Sequence, residues 1–128
     1  MNLNSEDFEA LTRIADAAHE NAVQKGFYDD VDCLLGSVPE AALRRIAYRD
    51  FVLSQIAKVG GECGECVDAI QHGALTDSDK FDHLCEELAD IIIRTFDLCG
   101  YLDADIGEAV KAKMERNKDR PYKHGKEC

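Results

Sequence analysis

Apolar side chains recur along this chain every three or four residues, and nowhere do they alternate long enough to suggest a strand. The first stripe joins Phe8, Leu11, Ala15, Ala18 and Ala22 and predicts a helix from Ser5 to about Lys25, closed by Gly26. An irregular segment is expected from Phe27 to about Val38. Ser37, Pro39 and Glu40 then form a helix-start signature: a cap, a proline in the first turn and an acid that can reach back. Helical character continues toward Gln71. A kink or break is expected at Gly60-Gly61, because each glycine costs about 1 kcal/mol relative to Ala inside a helix. His72-Gly73 ends that segment, and Thr76, Asp77, Ser78 and Asp79 offer caps for the next. The strongest helical pattern runs from Lys80 to Cys99, with Gly100 expected to close it. Leu84, Leu88, Ile91, Ile92 and Thr95 cover one side, and Glu87, Asp90, Arg94 and Asp97 another. Asp105 with Glu108 caps a last helix running to about Lys118. Ile106, Ala109, Val110 and Met114 face inward on it, and Pro121 stops it.

The pattern predicts an all-α bundle of four to five helices, in one domain spanning residues 1–128. A chain of this length can bury a core without staples. Its charge narrows the function. With 26 Asp and Glu against 15 Lys and Arg, the formal charge is -11. That excess opposes nonspecific binding to duplex nucleic acid, which needs a basic footprint. No apolar run approaches the length of a membrane span. The stretch Met1 to Asp7 lacks the basic start and apolar core of a signal peptide. The cytoplasm is the expected compartment, and the six cysteines are expected there as reduced thiols.

Within this acidic background four carboxylates stand out. Glu62 and Glu65 are three apart, as are Glu87 and Asp90 in the next helical segment. Residues at i and i+3 share a helix face, so two such helices packed together would gather four acids. Either pair alone reads as a solvated face. Two pairs on consecutive helices, each beside an apolar stripe, point instead to a bound hard cation. Mg²⁺ favours this chemistry, combining a few carboxylates with water and substrate phosphates. Asp68 and Glu86 adjoin the cluster, as outer groups or ordinary surface acids.

The cysteines add less. Cys63 and Cys66 form a CxxC with no second pair, while Cys33, Cys85, Cys99 and Cys128 are scattered. Small core or interface residues are the expected reading. The C-terminal segment is different. Lys111, Lys113, Arg116, Lys118, Arg120, Lys123 and Lys126 crowd the end of an otherwise acidic chain. Helix-dipole effects account for some of them. Asn117, Arg120, Tyr122 and His124 continue the polar set past the helix, as expected of groups that meet phosphate oxygens.

Three stretches together resemble a known family: Glu62-Cys-Gly-Glu65, Glu87-Leu-Ala-Asp90, and the ending from Lys113-Met through Asn117 and Arg120-Pro-Tyr to His124-Gly. The segment from His19 to Phe27 also looks like that family's lead-in. The resemblance is to the MazG-like all-α nucleoside triphosphate pyrophosphohydrolases. It implies Mg²⁺-dependent cleavage of a (d)NTP to (d)NMP and pyrophosphate, in nucleotide-pool control or clearance, with Mn²⁺ as a substitute ion. It implies metal ligands at Glu62, Glu65, Glu87 and Asp90, with Glu62 or Glu65 as general base. Lys113, Asn117 and Arg120 would hold phosphates, and His19 and Phe27 would border the base pocket. The family's usual pattern begins with two adjacent glutamates; Gly61 stands at the first here. Family bundles are completed by neighbouring chains, so a dimer or tetramer is implied. Two alternatives remain at this level: a phosphoribosyl-ATP pyrophosphohydrolase, or a non-catalytic helical module that binds nucleotide or a partner.

Overall fold

The computed structural model describes residues 3–121. Those residues form α1 (Ser5–Gln24), α2 (Asp29–Ser37), α3 (Ala41–Gln71), α4 (Ser78–Tyr101) and α5 (Ile106–Lys118), with no strand among them. The all-α expectation holds, at its upper count of five helices.

Local chemistry fixes the helix ends. Asn4 caps α1, accepting from the Asp7 backbone N–H at 3.1 Å while Asp7 accepts from Asn4 at 2.8 Å. Asp77 caps α4, and Asp105 caps α5. Three helices terminate in the same paired backbone bonds. After α1, Gly26 N–H donates to Val23 and Phe27 N–H to Ala22, with Gly26 at φ 79°. After α3, Gly73 bonds Ile70 and Ala74 bonds Ala69, with Gly73 at φ 94°. Glycine suits both left-handed positions. After α4 the same role falls to Asp103, at φ 51°.

Four sequence-based expectations change. The segment after Phe27 is not irregular: Asp29, Asp30 and Asp32 favour the N-terminal turn of α2, and Val31 buries against Tyr28. Ser37 therefore ends α2 instead of capping α3, its hydroxyl donating to the Leu34 carbonyl at 2.9 Å. Gly60-Gly61 does not break α3, which runs on to Gln71. Contacts of α3 with α2 and α4 secure it on both sides and outweigh the local propensity. Gly100 does not end α4; it lies inside the helix, where α1 crosses closely.

α4 is the centre of the arrangement, packed against α1 and α3, while α5 packs on α1 and α2 on α3. One core cluster joins Cys66, Ala69, Ala74 and Leu84 under the α3–α4 pair. The other joins Ala22, Tyr28 and Val31, with Phe51 and Tyr101 against them. Tyr28 and Tyr101 stack at 4.9 Å. Much apolar surface remains outside these clusters, including Leu53, Ile56 and Val67 on α3 and Phe81, Leu88 and Ile92 on α4. The accessible area is 9443 Å², whereas a compact monomer of this mass exposes about 6,800 Å². No helix of the described residues is long and apolar enough to cross a membrane.

Candidate metal and nucleotide site

α3 and α4 bring carboxylates together where they pack. Glu62, Glu87 and Asp90 each offer an oxygen, and the three oxygens lie within 4.8 Å of one another. The i,i+3 spacing aims Glu87 and Asp90 from one face of α4 toward α3. Glu62 and Glu87 are largely covered, with side-chain exposures of 15% and 14%, and Asp90 is exposed. Glu65, one turn beyond Glu62, is exposed and stands outside this group. Of the four acids expected to converge, the structure gathers three.

Like charges this close repel unless a cation intervenes. Arg94, one turn past Asp90, supplies one: its Nε donates to Glu62 Oε1 at 2.5 Å. His83 Nε2 lies 3.4 Å from Glu87 Oε1. The donor set also fits a hard divalent ion. Adjacent oxygens in a Mg²⁺ shell are about 3 Å apart, so the three side chains would have to draw closer together to share one ion. Waters and phosphate oxygens would complete the coordination.

Beneath the acids the wall is apolar. Cys66 follows Glu62 by one turn and is buried in the core with Ala69, Ala74 and Leu84. Burial raises its thiol above the usual value, and neighbouring Cys63, Glu87 and Glu62 push the same way. It stays a neutral thiol, a poor nucleophile or ligand. Cys63 is exposed, and both are free, so this CxxC is a core residue beside a surface one.

A cleft of about 520 Å³ opens beside the cluster and shares Asp90 and Arg94 with it. That volume lies within the range of small-molecule sites. Asn21, Phe27, Tyr28, Lys58 and Asp97 also line it. Phe27 is 73% exposed, which makes it a cleft wall and not a core aromatic. His19 is no surface histidine; its Nδ1 lies 2.9 Å from Asp97 Oδ1. Tyr28 Oη donates to the same oxygen at 2.7 Å. Burial and this bond to Asp97 hold the Tyr28 phenol far above its ordinary pKa, so it remains a donor.

The predicted phosphate groups sit elsewhere in the chain. Lys113 and Asn117 are exposed on α5, which packs on α1, and neither lines the cleft. Arg120 lies just past α5, its backbone N–H donating to the Asn117 carbonyl at 3.2 Å. Tyr122, Lys123, His124 and Lys126 fall outside the described residues. Sequence alone assigns no role to Arg94 and Asp97, although they follow Asp90 by four and seven residues on one helical face. Continuation of a charged stripe past a metal motif is the signal that marks them.

The profile of the MazG nucleotide pyrophosphohydrolase domain matches residues 52–124, which include all three gathered acids. No curated protein and no solved structure gives a significant match.

Proposed function

The chain belongs to the MazG nucleotide pyrophosphohydrolase family, and we propose that it hydrolyses nucleoside triphosphates to monophosphates and pyrophosphate with Mg²⁺. The observation carrying this reading is the convergence of Glu62, Glu87 and Asp90 at one end of a nucleotide-sized cleft.

In this reading Glu62, Glu87 and Asp90 hold the ion. When bound, Mg²⁺ (or Mn²⁺ in its place) neutralises the polyphosphate and polarises its oxygens. A water oxygen attacks the α-phosphorus, and the bond from that phosphorus to the α–β bridging oxygen breaks. Glu65 accepts the water proton: it stands one turn from Glu62 but outside the carboxylate cluster, so its oxygens are left for that task. Pyrophosphate departs and the nucleoside monophosphate remains. His19 orients Asp97 along the cleft, and Phe27 offers its ring to the base.

Lys113, Asn117 and Arg120 are assigned to phosphate oxygens, reached across an interface between two copies of the chain. Supporting this is the unburied apolar surface of α3 and α4, together with an accessible area well above that of a compact monomer. The free thiols of the described cysteines suit the cytoplasm.

The test is a screen of canonical and modified nucleoside triphosphates, with phosphoribosyl-ATP beside them, for product identity in Mg²⁺ and in chelator. Mg²⁺-dependent pyrophosphate release from nucleoside triphosphates is expected. Exclusive turnover of phosphoribosyl-ATP, or nucleotide binding without turnover, contradicts it.

A further inference from the structure

Arg94 is bound to a residue that the proposed reaction needs for metal. Its guanidinium Nε donates to Glu62 Oε1, and Glu62 is one of the three gathered acids. The arginine is partly open to solvent; its side chain is 45% exposed. The same residue lines the cleft beside Asp90 and Asp97, where Lys58 is the one other cation of the lining among the described residues. The lysine and arginine of the C-terminal segment, Lys113 and Arg120, do not line that cleft within the chain.

We propose that Arg94 is a stand-in cation: in the metal-free protein it neutralises Glu62, and on metal binding it gives Glu62 up and turns to the triphosphate in the cleft. This rests on the metal-dependent reading above. The physical case is charge balance. Without a cation, three carboxylates within mutual reach of 4.8 Å destabilise the junction of α3 and α4. Arg94 relieves part of that repulsion. A divalent ion relieves more, and Arg94 beside it would then be a like charge, repelled by the ion and attracted to phosphate. Guanidinium pairs with phosphate in a bidentate fork that a lysine cannot match. Loading of metal and positioning of a phosphate-binding arginine thereby become one event.

The experiment titrates Mn²⁺ calorimetrically into the metal-free protein, wild type against Arg94→Gln, and measures thermal stability in chelator and in metal. Arg94→Gln should bind Mn²⁺ about two- to fivefold more tightly, because a competing, partly exposed charge is gone. In chelator its Tm should fall below wild type, and saturating metal should close the gap. With metal present, a non-hydrolysable triphosphate analogue should bind Arg94→Gln at least about tenfold more weakly, as expected on losing a charge-assisted pair. Arg94→Lys, which keeps the charge, should restore the chelator Tm but not the analogue affinity. Unchanged or weaker Mn²⁺ binding by Arg94→Gln overturns the proposal and makes Arg94 a group that orients Glu62 in the loaded site. Absence of Mn²⁺ binding by the wild type overturns the metal-site reading itself, a result distinct from any failure of Arg94.

Discussion

Tyr28 reaches from the turn after α1 to Asp97 on α4, donating a 2.7 Å hydrogen bond to a carboxylate that His19 also meets. This bond fastens the cleft wall to the helix that carries Glu87 and Asp90. Tyr28→Phe keeps the stacking on Tyr101 and removes only the donor. It should cost about 1.5–3 kcal/mol, the range for a bond to a charged group. Urea denaturation measures the loss. Nucleotide affinity should fall as well, while Mn²⁺ affinity stays within twofold, because none of the three gathered acids is touched.

Gly100 marks where α4 meets α1. A Cβ there would collide with His19 Cβ and lie 3.0 Å from the Ala15 carbonyl oxygen. Gly100→Ala must push the helices apart and should cost about 2 kcal/mol or more. The His19–Asp97 contact should loosen with it, which a chemical-shift change of the His19 ring would report. Unchanged stability would mean that α1 does not approach α4 as described.

Gly60 is the opposite case. It sits in the middle of α3, and a methyl group added there would meet nothing within 4 Å. In a lone chain Gly60→Ala should stabilise α3 by about 1 kcal/mol through helix propensity. If copies of the chain pack along this face, the methyl would instead weaken assembly. Sedimentation of the variant alongside its Tm separates the two outcomes, and the proposed self-association predicts a weakened oligomer.

Asp105 couples α5 to α1 electrostatically. Its carboxylate accepts from the Glu108 backbone N–H at 3.0 Å and from the Thr12 hydroxyl at 2.9 Å. These bonds, the Glu108 one foremost, hold its pKa below the ordinary aspartate value. A depressed folded-state pKa gives stability that is complete above the unfolded value near 3.9 and is lost as pH falls through the folded value. Asp105→Asn keeps an oxygen for the cap but cannot titrate. Wild type should therefore lose more stability than Asp105→Asn as pH drops below about 4. Parallel acid titrations of the two proteins check this.

Much of this architecture could be read from the chain. Apolar spacing gives α1, α4 and α5 nearly to their ends, because their stripes are regular and their caps, Asn4 apart, are visible in sequence. The acid spacing placed Glu87 and Asp90 on one face, where they are found. Three features were not legible. α2 is short, and its Val31 and Leu35 pack in a cluster with Tyr28 and Phe51, the second of which lies at a distance along the chain. Gly60-Gly61 looks like a break to any local rule, yet tertiary contacts on both sides carry α3 through it. The tie between Arg94 and Glu62 spans 32 residues, and no periodicity announces a pair between two helices. Phe27 illustrates the converse: an aromatic side chain suits a core as well as a cleft, and only the fold places it in the cleft.

The claim on which the rest depends is that Glu62, Glu87 and Asp90 jointly hold a divalent ion. Electron paramagnetic resonance of Mn²⁺ titrated into wild type, Glu87→Gln and Asp90→Asn measures this without reference to turnover. Wild type should remove free Mn²⁺ from solution, and each variant should bind it at least about tenfold more weakly, with helix content unchanged. Equal Mn²⁺ binding by all three proteins would contradict the account.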